Sequence, residues 1–194
     1  MNLKTNKEKW IEEGYSQFAE HGPENLSINK ISKALGFSRA SFYHYFGDTE
    51  VFIEHLLAKH WEIVQLFDQR GQTECKQLFP DLYQLLSQNP IPLKFSIQLF
   101  RHRYKPAYNF LFIKTYESSA RAFVLKLFAE HYQLYQPDDE LFNLWLTVGE
   151  TWYSRLNFDD LSASTLQNHA EEIMESVVKF TRSQLYDNIK RASD

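Results

Sequence analysis

Cysteine is all but missing from this chain: Cys75 is the single one among 194 residues. One thiol excludes an intrachain disulfide framework and suits a reducing cytosol, with a buried or incidental role for Cys75 itself. No apolar run approaches the roughly 18 residues a membrane helix needs. The first nine residues carry basic side chains with no apolar run behind them, so they do not read as a secretory signal. A soluble, cytoplasmic protein with no membrane partner is expected. Glycine and proline are few, six of each, and most stand where segments would break. β-Branched alternation is scarce, and no strand, internal repeat or low-complexity tract emerges. A Gly-rich phosphate loop, HExxH, GxSxG and paired cysteines are absent as well, so no catalytic constellation can be named. The expectation is a protein that is not an enzyme and has no cofactor. Histidines do not change this. His55 and His60 lie five apart on one helix, about 140° around it, and do not converge on a metal. His102, His131 and His169 fall on separate segments, so no metal site is expected.

Acidic residues are missing from one interval, and that absence is informative. The whole chain carries a net charge of −4, which argues at first sight against nucleic acid. From Asn25 to Gly47, however, there is no Asp or Glu, while Lys30, Lys33 and Arg39 are present. The acids stand on either side, at Glu8, Glu12, Glu13, Glu20 and Glu24 before it and at Asp48 and Glu50 after it. Screening limits a charge to about 8 Å at physiological salt, so a local basic face outweighs the global sum for phosphate binding.

What is abundant is helical pattern and aromatic surface. A first helix is expected from Thr5 to His21, with Trp10, Ile11, Gly14, Tyr15 and Phe18 on one face and Gly22-Pro23 as its stop. Ser27 reads as the N-cap of a short second helix, with Leu26 and Ile31 at the staple positions, ending at Leu35-Gly36. Ser38 repeats the signal with Phe37 and Phe42, and a third helix runs to Phe46 before Gly47. Asp48 caps a fourth helix to about Gln69. Beyond Gly71 the chain is punctuated at Pro80, Asn89-Pro90-Ile91-Pro92, Pro106, Pro137 and Asn157 to Ser162. Helices are expected over Tyr108 to Tyr132, Asp139 to Leu156 and Ser164 to Lys190. The class is all-α.

Two short capped helices joined through a glycine turn make a helix-turn-helix unit, which needs a rigid angle so that the second helix can enter the major groove. Ile28, Ile31, Ala34, Leu35, Phe37 and Phe42 would pack that angle. Ser38, Arg39, Ala40 and Ser41 would open the recognition helix. Arg39 offers a bidentate fork to guanine, and Ser41 can bond a base or a phosphate. The orphan amides at both helix starts favour phosphate oxygens. Phe42, Tyr43, Tyr45 and Phe46 can equally be core aromatics.

Three segments carry a resemblance: Phe18-Ala19-Glu20-His21-Gly22, Ser27-Ile28-Asn29-Lys30-Ile31-Ser32, and the run from Gly36 through Ser38-Arg39-Ala40-Ser41-Phe42-Tyr43-His44-Tyr45-Phe46. Over Trp10 to Leu57 the chain resembles the TetR/AcrR family of bacterial transcriptional regulators; the rest matches only in length, helical content and aromatic richness. The resemblance implies a helix-turn-helix DNA-binding domain over residues 1–47 and a helical regulatory and dimerisation domain over 48–194. It assigns Ser27 to a phosphate, Arg39, Ala40 and Ser41 to the bases, and Tyr43 and His44 to phosphates. Tyr45 stands where the family often has histidine, Thr49 where it usually has a lysine near the DNA backbone, and Gly14 where alanine is usual. It also implies a ligand cavity, for which Trp61, Phe100, Tyr104, Tyr108, Phe112, Tyr116 and Trp152 are candidate wall residues, although an aromatic stripe is more often core than pocket. It implies a homodimer through the last two helices, with Gly149 on one and Ala170, Ile173, Met174, Val177 and Thr181 as a seam on the other. The same faces can instead be intramolecular core. The expected function is a sequence-specific repressor on a palindromic double-stranded DNA operator, released by a small apolar or aromatic effector. The alternative is a DNA-binding protein of this fold that answers to a protein partner.

Overall fold

A computed structural model describes residues 4–177, and every regular element among them is helical. Thr181 and the part of the expected last helix from 178 to 190 lie outside the described residues. The first helix, α1 (Asn6–His21), begins at a capping box. The Thr5 hydroxyl accepts from the Glu8 amide at 3.2 Å while the Thr5 amide donates to the Glu8 carboxylate at 2.6 Å. Gly22 closes it at φ +78°. Ser27 accepts from the Lys30 amide to open α2 (Ile28–Leu35), and Gly36, left-handed at φ +68°, turns the chain toward Ser38. Ser38 accepts from the Ser41 amide to open α3 (Arg39–Phe46). Asp48 then caps α4 (Thr49–Glu74) through the Val51 amide at 2.8 Å.

Four expectations need correction. The fourth helix does not stop near Gln69 but continues past Gly71. A Cβ at Gly71 would stand 2.3 Å from Cζ of Phe123, so this glycine admits a neighbouring ring and breaks nothing. The region around Pro80 and Asn89–Pro92 is helical too: a wide turn at Leu78–Leu82, α5 (Tyr83–Ser87) and α6 (Pro90–Arg101). Pro90 and Pro92 occupy the first turn of α6, where no amide partner is needed. The expected Tyr108–Tyr132 helix is α7 (Pro106–Ser119) and α8 (Leu125–Tyr132), joined by a π-type turn at Ala120–Val124. Finally, Ala34 faces solvent in the last turn of α2, while Ile31 and Phe42 fill the angle it was expected to share. The chain continues into α9 (Asp138–Arg155) and the helical residues 163–177, α10.

Two apolar clusters hold these helices. One joins Trp10, Phe18, Phe42 and Phe52 to Phe95, Leu99 and Phe112, so α6 and α7 share a core with the first three helices. Phe95 stacks on Phe18 at 4.3 Å and on Tyr15 at 4.4 Å. Each fully buried ring contributes about 2–3 kcal/mol, whereas the neighbouring Lys94–Glu20 pair, partly exposed, adds at most about 1 kcal/mol. Ring burial therefore fixes the first three helices, the head, on the helices from α4 onward, the body. Gly14 permits the approach of α4, since a Cβ there would lie 2.2 Å from the Phe52 ring. The second cluster, including Ile97, Phe128, Trp145, Leu166 and Ile173, binds α8, α9 and α10 around the rest of the body.

Candidate nucleic-acid interface and internal cavity

The α3 helix divides cleanly into two faces. Phe42 and Phe46 point inward, where Trp10 meets Phe42 edge-on at 5.3 Å and Phe52 meets both rings. Arg39, Ala40, Tyr43 and His44 point outward, and the Arg39 guanidinium reaches the Tyr43 hydroxyl at 3.4 Å. Lys30 and Lys33 are exposed on α2, and neither they nor Arg39 form an ion pair among the described residues. Their charge is therefore available to an outside anion. Ser27 and Ser38 hold the starts of α2 and α3, where unpaired amides accompany them. Ser41 is different. Its hydroxyl donates to the Ser38 carbonyl at 2.7 Å and accepts from the Trp10 indole at 3.3 Å, which ties it into the head's own wiring. Thr49 opens α4 with its side chain exposed.

A cavity of about 280 Å³ lies within the body, walled by α4, α5, α6, α7, α9 and α10. Its aromatic wall is continuous. Tyr83 meets Trp152 at 6.1 Å, Trp152 meets Tyr153 at 5.1 Å, Tyr153 meets Tyr116 at 6.3 Å and Tyr116 stacks on Trp145 at 6.2 Å. Burial pushes the phenols of Tyr83, Tyr116 and Tyr153 up, the last to about 12, so all three stay neutral at physiological pH. The Tyr116 hydroxyl donates to the Trp145 carbonyl at 2.7 Å, and the Trp152 indole donates to the Leu166 carbonyl at 2.8 Å. A Cβ at Gly149 would clash with the Tyr116 hydroxyl, so the glycine makes room for that ring.

One polar chain runs from this wall into the head. His60 is fully buried, with its Nδ1 2.8 Å from the Tyr15 hydroxyl and its Nε2 3.2 Å from Ser96 Oγ. Burial lowers the His60 pKa to about 3, so the ring is neutral and donates with one nitrogen only. Ser96 also acts to lower the Tyr153 phenol, against the larger upward push of burial. The tautomer sets which nitrogen donates, and either arrangement joins Tyr15 to Ser96 through the ring. Tyr153, Ser96 and His60 line the cavity, whereas Tyr15 belongs to α1.

The residues named from sequence are thus dispersed. Tyr116 and Trp152 line the cavity. Phe100, Tyr108 and Phe112 are buried in the cluster that joins head to body, because that side of α6 and α7 faces α1. Trp61 packs beside the same cluster with the Lys114 ammonium 4.0 Å from its ring centroid, and Tyr104 is exposed, donating to Glu24 at 2.9 Å. The proposed seam on α10 is corrected as well. Ala170, Ile173 and Met174 are buried within this chain, Gly149 is covered by Tyr116, and Val177 alone of the described set is exposed. Side chains already buried in one protomer offer no surface to a second. Sequence reasoning missed Tyr83, Tyr153 and His60 as wall residues. Tyr83 sits in a segment without clear periodicity, Tyr153 is one step off the α9 stripe, and the partners of His60 lie on α1 and α6, far from it in sequence.

Comparison with known proteins agrees with this geometry. Residues 11–56 match the bacterial regulatory proteins of the tetR family. An HTH-type transcriptional regulator of Staphylococcus aureus (strain MRSA252) is 25% identical over 151 residues, covering 75% of this chain and 76% of the relative. A transcriptional regulator from Saccharomonospora viridis, solved in complex with choline, superposes with a TM-score of 0.64 at 17% identity, covering 87% of this chain and 95% of that one. A tetR-family regulator from Streptomyces coelicolor superposes with a TM-score of 0.61 at 16% identity, covering 98% and 89%.

Proposed function

We propose that this chain, a member of the tetR family of bacterial regulatory proteins, is a homodimeric repressor that a small organic molecule in the body cavity releases from its operator. The observation that carries the reading is the Ser96–His60–Tyr15 chain, which links the cavity wall to the helix on which α3 is packed. Residues 1–47 act as the DNA-binding unit and 48–194 as the regulatory and dimerisation unit. Arg39 and Ala40 read base edges, Ser27, Ser38, Tyr43 and His44 hold phosphates, and Ser41 chiefly braces the start of α3. Two such heads, about 34–36 Å apart, fit successive major grooves of a palindromic site.

The second copy is expected on the outward faces of α9 and α10. On α9 the hydroxyls of Thr147, Thr151 and Ser154 each donate to a carbonyl of their own helix, so they can be covered without orphaned donors. The S. viridis regulator in complex with choline supports a small organic effector for this chain too. A ligand shifts the equilibrium only by its differential affinity for the two states. One that engages Ser96 or His60 competes with the bonds that hold Tyr15, and so favours a displaced head.

The test is a pair of measurements on the full chain. A ligand that raises the thermal transition should lower retention of a selected operator fragment, and bound DNA should weaken that ligand by the same factor. Stabilisation with unchanged DNA retention would remove the effector from the reading. Retention that no small molecule alters would favour control by a protein partner.

A further inference from the structure

The cavity wall is neutral, but its surroundings are acidic. Asp68 on α4 is only 7% exposed, and its two oxygens accept from Ser118 and Ser119. No basic side chain pairs with it among the described residues, and burial raises its pKa against the pull of the two hydroxyls. Ser119 also lines the cavity, so this carboxylate stands one hydroxyl behind the wall. Glu171 lies close enough to push up the Tyr83 phenol, and Glu150 does the same to Tyr116. Among the described residues the one cationic lining residue, Arg70, is held by Glu74 at 2.8 and 2.9 Å and by Gln88 at 3.2 Å. A buried carboxylate without a counter-charge is unfavourable, and a cation placed in the cavity would relieve it.

The wall itself suits such a cation. The rings of Tyr83, Trp152, Tyr153, Tyr116 and Trp145 form an unbroken series, and aromatic faces attract cations most strongly where water is excluded. A primary ammonium would bring three N–H donors that each need an acceptor. This wall is mostly ring and aliphatic surface, and an alkylated ammonium needs no acceptor. We propose that the cavity takes a small organic cation of the alkylated-ammonium class, held by these five rings and by Asp68 acting through Ser119. The proposal rests on the reading of this cavity as the effector site and adds the charge of the occupant.

The test compares two probes of equal shape, choline and its uncharged isostere 3,3-dimethylbutan-1-ol, titrated calorimetrically into the full chain. Wild type should prefer the cation by about tenfold or more. Asp68→Asn should remove most of that preference while leaving the alcohol's affinity within about twofold, as expected of a term that acts on charge alone. Equal or tighter binding of the alcohol by wild type would overturn the proposal, as would failure of choline, tetramethylammonium and tetraethylammonium alike to bind at millimolar concentration. A preference that Asp68→Asn leaves intact would overturn the role of Asp68. If that variant does not fold, the wild-type comparison decides. Operator retention, measured in the same samples, separates the two claims: a discriminated cation that leaves DNA binding unchanged would refute the effector reading and leave the cation site standing.

Discussion

Replacing His60 with glutamine should flatten the acid limb of the stability profile. In the folded chain His60 is fully buried and its pKa is lowered to about 3, against the ordinary value near 6.5 in the unfolded chain. The unfolded state therefore binds one more proton between those values, and stability rises with pH across that window. His60 costs nothing above about pH 6.5, and stability falls by about 1.4 kcal/mol per unit below it. From pH 7 to pH 5 the loss is about 2 kcal/mol once partial protonation near 6.5 is included. Glutamine retains a donor and an acceptor for Ser96 and Tyr15 but does not titrate. Urea unfolding at pH 7, 6 and 5 should show the wild type losing about 2 kcal/mol more than His60→Gln. Contributions from other groups, Asp68 among them, are common to both proteins and cancel in the difference. Equal losses would mean that His60 is hydrated or charged in the folded protein, and the buried chain from Ser96 to Tyr15 would have to be abandoned.

Other outcomes follow from single contacts. Gly14→Ala places a methyl 2.2 Å from the Phe52 ring and should lower unfolding stability by about 1–3 kcal/mol in urea titration; a neutral result would show that Phe52 has room to move. Tyr43→Phe should weaken all DNA sites by a similar factor, whereas Arg39→Ala should change which sequences are preferred, by about 1–3 kcal/mol at one position. Competition binding on a small operator library distinguishes the two patterns. Gly149→Ala displaces Tyr116 from the Trp145 carbonyl, so ligand-induced stabilisation should be lost while DNA retention persists; undiminished ligand stabilisation would contradict the assigned wall.

The head was legible in the sequence because its signals are local. Thr5, Ser27, Ser38 and Asp48 each cap a helix, and glycines at 22, 36 and 47 end the preceding ones. Within α3 the residues alone leave Phe42, Tyr43, Tyr45 and Phe46 all open as core aromatics, and packing buries Phe42 and Phe46 while Tyr43 is exposed. The body was less legible because its decisive contacts are distant in sequence. Gly71 reads locally as a stop, and only Phe123, fifty-two positions away, reveals its purpose. Pro90 and Pro92 break a helix when interior and start one when first, and sequence alone did not distinguish the cases. The aromatics of α6 and α7 show periodicity without showing which neighbour they face. Phe100 and Phe112 turned toward α1, and Tyr116 turned toward the cavity. His60 carries no local mark of its role, since both of its partners come from other helices.

The central claim, that α3 reads DNA as one of two symmetric heads, is tested most directly by selecting bound genomic fragments at moderate salt and footprinting the enriched site. Two protected half-sites, related by a dyad and centred about one helical turn apart, are expected, with binding that weakens steeply as salt rises. Retention without sequence preference, or protection of a single unpaired half-site by the intact protein, would contradict the account.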